Sequence, residues 1–388
     1  MSTQYQQFDI CIIGAGMVGA ACACAFAQLG LRVAVVESYL PAPFEASQSP
    51  DLRVSALNRH SINLLTDLNA YDAIEVMRYR VYDTLSVWED ELAKTTFSAH
   101  DINEKQLGIF AENRIIQLAL LQSIKQHHND SVVVFNTKAK QIDTASGTLE
   151  LANCEYIQAK LIVGADGANS QVRLSAGIGQ TGWDYRQRAN LILIRLHEEI
   201  ADETWQQFTP TGPLALLPMH DNYASLVWYA SAEKSALIQA MDNDDLQKAV
   251  IKKFPARLGN FEVCDKAGFG LRRMHANQYW QNKAVLVGDA AHTINPLAGQ
   301  GVNLGFKDVS ALINAIKEHG LDDLSTTLAV YQKQRKLQNL LMMSTMDALY
   351  ASFSNDIQGI KLLRNFALGM AQRAGPLKNM ALKYAMGI

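Results

Sequence analysis

The first stretch with the means to do chemistry is Gly14-Ala15-Gly16-Met17-Val18-Gly19, followed at a distance by Glu37. The glycines permit a tight turn and let backbone N–H groups approach a diphosphate. A helix N-terminus behind the turn adds partial positive charge. Glu37, closing the next strand, can accept hydrogen bonds from a ribose diol. Together these residues read as a dinucleotide site, and the turn alone does not separate FAD from NAD. A second stretch is Gly164-Ala165-Asp166-Gly167-Ala168-Asn169-Ser170, with Arg173 just beyond. An aspartate among small residues turns the chain and accepts backbone N–H groups. Taken alone, it reads as a strand–turn–helix cap. The third is Gly288-Asp289-Ala290-Ala291-His292, then Pro296, then Gly299-Gln300-Gly301-Val302-Asn303. Asp289 is placed to bond a sugar or ribityl hydroxyl, and Ala290 and Ala291 let a cofactor lie against the backbone. Gly299 and Gly301 open a helix whose positive end favours an anionic reduced ring. His292 reads as a structural hydrogen-bonder before it reads as a chemical group.

Each stretch follows a segment that reads as a buried strand. Residues 8–13 are an isoleucine-rich apolar run, 17–29 read as a helix stopped by Gly30, and 32–36 as a second strand. This is a strand–helix–strand unit of the nucleotide-binding kind. Residues 132–135 and 161–163 read as further strands of that sheet, and 284–287 return to its pattern. Helices are expected over 58–68, 113–126 and from Gly299 to about 317. Strands at 83–88, 95–98, 189–196, 214–218 and 224–229 suit a second sheet. The nucleotide-binding half is therefore discontinuous, with a second sheet inserted into it.

Composition sets the bounds. The 388 residues are 48% hydrophobic and 19% charged, an ordinary globular balance. A net charge of -3 leaves no global footprint for nucleic acid, and none is expected as a partner. Five cysteines fit no common zinc spacing; Cys22 and Cys24 read as small packing residues, and a reducing cytosol is the natural setting. No signal segment opens the chain, and no apolar run is long enough to span a bilayer. No Ser–His–Asp set, metal cluster or carboxylate pair stands out, so no catalytic side chain is assigned. After Asp356 acidic residues vanish, while Lys361, Arg364, Arg373, Lys378 and Lys383 alternate with leucines, Phe366 and Met386. Such a tail reads either as a membrane-surface element or as a packed terminal helix.

The three stretches, in this order and spacing, resemble the single-component FAD-dependent aromatic hydroxylases of the para-hydroxybenzoate hydroxylase type, over essentially the whole chain. The resemblance implies an α/β fold that binds FAD and NAD(P)H, with an inserted β-sheet substrate domain and a helical C-terminus. The FAD-binding domain is expected over 1–80, 100–180 and 270–320, the substrate domain over 81–99 and 181–269, and the helical region over 321–388. It implies that the first stretch holds the FAD diphosphate and Glu37 the adenosine ribose. Asp166 would serve flavin and nicotinamide cofactor, and Asp289 the ribityl diphosphate region. Arg53, in Asp51-Leu52-Arg53-Val54-Ser55-Ala56-Leu57, resembles an arginine on a loop over the flavin, and Arg114 matches a cofactor-contacting position. Pro296 and Leu297 would wall the reactive face.

Within the family, the match narrows to the ubiquinone-biosynthesis hydroxylases. Thr204 to Pro210, Ser225 to Tyr229 and the tail from Arg373 resemble members acting on a polyprenylated methyl-methoxy-benzoquinol. The implied cycle has NADH or NADPH reduce the flavin and O₂ add to it as a C4a-hydroperoxide, which the quinol ring attacks. The alternatives are a sister hydroxylase acting on a polyprenylphenol or methoxyphenol, a flavin reductase or dehydrogenase acting on prenyl chains, and a catalytically silent FAD-binding member of a biosynthetic assembly. The expected setting is cytoplasmic, peripheral at the inner face of the membrane through the basic tail, with other ubiquinone-biosynthesis proteins as partners.

Overall fold

The computed structural model describes residues 4–90, 93–295, 301–353 and 375–386. The strand–helix–strand unit is present as Gln6–Ile13, Met17–Gln28 and Val33–Glu37. Ile10, Cys11 and Ile12 are fully buried, as expected of a strand covered on both faces. The helix is rich in alanine and buried from Gly19 to Ala27. Its small side chains suit its position, because helices Asn113–His127 and Gly301–His319 both pack against it. Cys22 and Cys24 are packing residues here, and burial pushes both thiols' pKa values up.

The first sheet runs in the order Trp280–Gln281, Ala284–Leu286, Tyr156–Gly164, Gln6–Ile13, Val33–Glu37, Val132–Asn136. The four inner pairings that carry the glycine turns are parallel. The C-termini of these five parallel strands therefore end on one edge, where a ligand is expected in such a sheet.

The second sheet has eight strands, ordered His292–Thr293, Phe261–Ala276, Gln180–Leu196, Tyr223–Ser231, Leu214–Pro218, Glu203–Gln207, Thr84–Trp88, Thr95–Ser98. Side chains alternate along its strands. Ile192, Ile194, Leu226, Trp228, Leu214 and Leu216 point to a core shared with helices Ala232–Ala240 and Asn243–Lys253. Leu191, Val227, Tyr229, Ala215 and Leu217 point the other way, into a cavity. One short segment joins the two sheets. Ala284–Leu286 belongs to the first and His292–Thr293 to the second, so the turn between them, with Asp289, sits at the seam.

Several elements differ from the sequence reading. Gln180–Leu196 is a 17-residue strand, longer than the expected 189–196. Its first half is exposed and polar and shows no alternation; pairing with Phe261–Ala276 holds it. That partner strand was not expected, since Gly268 and Gly270 interrupt it. A third sheet of Val54–Asn58, Gly108–Glu112 and Arg80–Tyr82 also escaped the reading. The expected 58–68 helix begins after Asn58, whose side chain caps it by accepting from the Ser61 N–H at 3.1 Å. Among the described residues, no helix is long and apolar enough to cross a membrane.

Candidate active site

A cavity of about 1440 Å³ lies between the two sheets. Gly16, Met17, Val18, Arg53, Gly167, Asp289, Gly301 and Val302 line one end of it. All three sequence stretches thus reach one space.

The glycine turn is held by its surroundings. Gly14 has φ +98, and a Cβ there would lie 2.5 Å from the Ala165 carbonyl oxygen of the second stretch. A Cβ on Gly19 would lie 1.9 Å from the Gly14 oxygen. Gly16 is different, since a Cβ there would meet nothing within 4 Å. It opens on the cavity and leaves room for a group to come against the backbone. Glu37 Oε2 accepts from the Ala15 N–H at 2.7 Å, and Oε1 from the Tyr39 N–H at 2.9 Å. The acid thus stiffens the turn and keeps lone pairs for a diol. Gln117 donates to the Ala15 carbonyl at 2.7 Å. Its only signal in the sequence is a polar residue in an otherwise apolar helix stretch.

Asp166 caps helix Gln171–Ser175, accepting from the Gln171 and Val172 N–H groups at 2.6 and 3.2 Å. Burial pushes its pKa up against these bonds and one from Ser170. Its buried Oδ1 has no partner among the described residues. An orphaned acceptor beside the turn fits a ligand hydroxyl or N–H. Arg173 is buried and reaches the carbonyls of Ala168 and Ala290 at 3.1 and 3.3 Å, tying the second stretch to the third.

Asp289 is open to the cavity and yet walled in by the protein around it. That enclosure pushes its pKa up, against the opposing pull of His292 and Arg53. A carboxylate short of water in this way gains from ligand hydroxyls. Arg53 stands on the same wall, its guanidinium 6.0 Å from the Phe269 ring.

His292 is 2% exposed, and its Nε2 lies 2.5 Å from Asp308 Oδ2. Asp308 is fully buried in helix Gly301–His319 and collects four partners. Besides His292 it accepts from the Gly288 N–H at 3.0 Å, Arg335 Nε at 2.7 Å and Asn339 Nδ2 at 3.0 Å. Burial alone would push its pKa up; His292 and Arg335 outweigh it and hold the pKa at about 2. His292 is therefore a positioning residue that locks the third stretch onto the helix. The signal in sequence was a lone aspartate on the apolar face of 302–316.

Other expected site residues fall elsewhere. Asn303 is buried and turned away from the cavity: Nδ2 donates to the Ala56 carbonyl at 2.7 Å, and Oδ1 accepts from Ser61 Oγ at 2.6 Å. Arg114 does not line the cavity; its Nε pairs with Asp51 at 2.8 Å and fastens the 42–51 loop. Pro296, Leu297, Gly299 and Gln300 lie outside the described residues.

Much of the remaining wall is apolar, although Asp184, Arg186, Gln187, Arg188 and Arg272 also border the space. Leu191, Val227, Phe269, Leu271, Phe208 and Met346 face the space, and Tyr229 donates to Asn295 Oδ1 at 2.9 Å. One end of the cavity thus offers backbone amides and a carboxylate, and much of the rest offers hydrocarbon. That pairing suits a polar cofactor set against an apolar substrate.

The model of the FAD binding domain family matches residues 7–339. A 3-demethoxyubiquinol 3-hydroxylase from Escherichia coli is 45% identical over 388 residues, 99% of either chain. The chain belongs to the FAD-dependent ring hydroxylases of ubiquinone biosynthesis. A ubiquinone hydroxylase from Rhodospirillum rubrum is 33% identical to this hydroxylase, over 98% of this chain and 89% of its own. Solved structures agree on the fold. PqsL of Pseudomonas aeruginosa, a probable FAD-dependent monooxygenase, superposes with TM-score 0.78 at 22% identity, covering 93% of this chain and 100% of its own. The p-nitrophenol 4-monooxygenase PnpA of Pseudomonas putida gives 0.79 at 17% identity, covering 100% and 97%. The hydroxylase therefore has the para-hydroxybenzoate-hydroxylase-like fold that its three stretches implied.

Proposed function

We propose that this hydroxylase oxygenates the ring of a polyprenylated methyl-methoxy-benzoquinol, with FAD in the cavity and NADH or NADPH as electron donor. The observation that carries the reading is the cavity itself, polar where the three stretches meet and largely apolar beyond. The choice of ring is supported by 45% identity to a demethoxyubiquinol hydroxylase against 33% to the Rhodospirillum enzyme.

FAD, when bound, supplies the activation of O₂ for insertion into the ring. The chain's own residues bind, orient and exclude water. In this reading Gly14, Ala15, Gly16, Met17, Val18 and Gly19 cradle the diphosphate, and Glu37 takes the adenosine ribose. Asp289 takes a ribityl hydroxyl, and Asp166 offers its free oxygen nearby. Gly301 and Val302 bring a positive helix end towards the flavin ring, while Asn303 and His292 fix that helix from behind. Arg53 covers the cavity mouth. The first sheet and its helices serve as the FAD-binding domain and the second sheet as the substrate domain.

The deciding experiment is to identify the quinone intermediate that accumulates in cells lacking this protein. A demethoxy-type quinone is the expected result. An early prenylphenol would instead move the reaction to another ring carbon.

The reading also places the enzyme at a membrane surface. Helix Leu324–Phe353 sets Met346 and Phe353 against the cavity, while Leu337, Leu340 and Leu341 stand 71%, 40% and 60% exposed. A helix apolar on its outer face, enclosing a lipid's binding site, suits contact with bilayer. In the described part of the tail, Lys378 is paired with Asp101, so Lys383 is the exposed cation there. Replacing Leu337 and Leu341 by Gln should lower liposome co-sedimentation several-fold with FAD content intact. Undiminished co-sedimentation would remove this face from the proposal.

A further inference from the structure

The cavity, about 1440 Å³, runs on beyond the meeting point of the three stretches, where FAD is proposed to lie. Its far end is walled by Tyr82, Leu85, Phe97, Leu107, Leu382 and Met386. None of these side chains carries a charge. Tyr82 ends a strand of the third sheet, Leu85 and Phe97 lie on the last two strands of the second, Leu107 precedes Gly108, and Leu382 and Met386 belong to helix Pro376–Met386.

These residues form a hydrophobic cluster of their own, apart from the cores of both sheets. Leu382 and Met386 are 5% and 3% exposed, yet both border the cavity. Polar contacts also fasten the helix that carries them: Lys378 Nζ reaches Asp101 Oδ2 at 3.1 Å, and Asn379 Nδ2 donates to the Asp101 carbonyl at 3.0 Å. Its apolar side packs in the cluster and also borders the cavity. Water in such a space finds few polar partners, so hydrocarbon is the favoured filling.

We infer that this far end is a binding site for the isoprenoid chain of the substrate, with Leu382 and Met386 as its outer wall. The inference rests on the proposed ring hydroxylation and deepens it. FAD takes the end where the three stretches meet, the ring lies against it where the apolar wall begins, and the chain runs along that wall to the tail helix. A chain without hydrogen-bonding groups requires an uncharged site, and each buried methylene strengthens binding by at most about fourfold.

The test uses the full-length, FAD-loaded enzyme and a series of alkyl-1,4-benzoquinones with no chain, a five-carbon chain and a ten-carbon chain. Affinities are measured by equilibrium dialysis, and the readout is the ratio of ten-carbon to chainless affinity. The wild type should show a ratio of at least a hundredfold. Leu382→Trp, which fills the far end, and Met386→Gln, which makes it polar, should each cut the ratio at least tenfold. Flavin absorbance and melting temperature establish that each variant is folded, and if one fails, the other carries the test. A flat series in the wild type, or an unchanged ratio in a folded variant, overturns the inference. NAD(P)H-dependent oxygen incorporation is followed separately. A steep, variant-sensitive ratio without oxygen incorporation would leave the chain site standing and defeat the hydroxylation reading.

Discussion

Asp289 and Asp308 show how two carboxylates on neighbouring elements come to different tasks. Asp289 faces open space with its pKa raised by enclosure, so it has interactions to gain from a ligand. Asp308 is already saturated by His292, Arg335, Asn339 and the Gly288 N–H. Asp289→Ala should therefore give a folded protein with little bound FAD, read from the ratio of flavin to protein absorbance. Full occupancy would show that the third stretch is not where the cofactor is held. His275 belongs to the same buried region, its Nε2 2.8 Å from the Tyr279 hydroxyl. Burial, with His292 and Lys336 nearby, holds its pKa at about 4 against an ordinary 6.5. The folded-state value lies below the unfolded one. Its contribution to stability is therefore complete above about pH 6.5 and lost as pH falls through 4. Urea midpoints measured from pH 7 to 4 should fall, and fall less in His275→Gln. An equal slope in that variant would point to another group. The residues that could be named from sequence were those with local geometry, such as Gly14, Gly19 and Asp289. Gln117, Asp308 and Arg335 could not, because their roles rest on partners distant in the chain.

At the scale of elements, glycine spacing decides how closely the helices meet. A Cβ on Gly305 would sit 2.6 Å from Val18 Cγ2, where helix Gly301–His319 crosses helix Met17–Gln28. At Gly19 the obstacle is backbone, which cannot swing aside. Gly19→Ala should destabilise the fold by about 1–3 kcal/mol and abolish FAD retention, measured by denaturant unfolding and flavin content. Wild-type stability and flavin content would mean that the turn tolerates a conformation not described above. The parallel strands and their helices were legible because burial on both faces writes a continuous apolar run, as in residues 8–13. Phe261–Ala276 was not, since its identity as a strand depends on pairing with Gln180–Leu196 rather than on its own pattern. The small sheet of Val54–Asn58 and Gly108–Glu112 hides for the same reason. Glu112 there joins Arg78 in a buried ion pair at 2.6 Å, again a long-range contact.

For the whole molecule, the cavity joins segments that are far apart in sequence, near residues 16, 167, 289 and 301. A ligand that touches all of them stabilises the folded state by mass action. With free FAD about a hundredfold above its Kd, the gain is roughly 2.7 kcal/mol. Deflavinated protein should melt several degrees lower and recover on titration with FAD. A melting temperature indifferent to FAD would place the cofactor outside this seam.

The parallel pairing of Tyr156–Gly164 with Ala284–Leu286 has a bearing on biosynthesis. A ribosome making this chain releases the first strand's partner long before the strand that covers its other edge. The interval is roughly 120 residues, or on the order of ten seconds at ordinary translation rates. Through that time the Ile162–Gly164 end of that edge is unpaired, its Tyr156–Gln158 end being covered already by Thr148–Leu151, with the inserted sheet emerging beside it. The Asp289 turn arrives only with the strand that closes the edge. With FAD held at that turn, as proposed, flavin capture becomes a late event in the life of the nascent polypeptide.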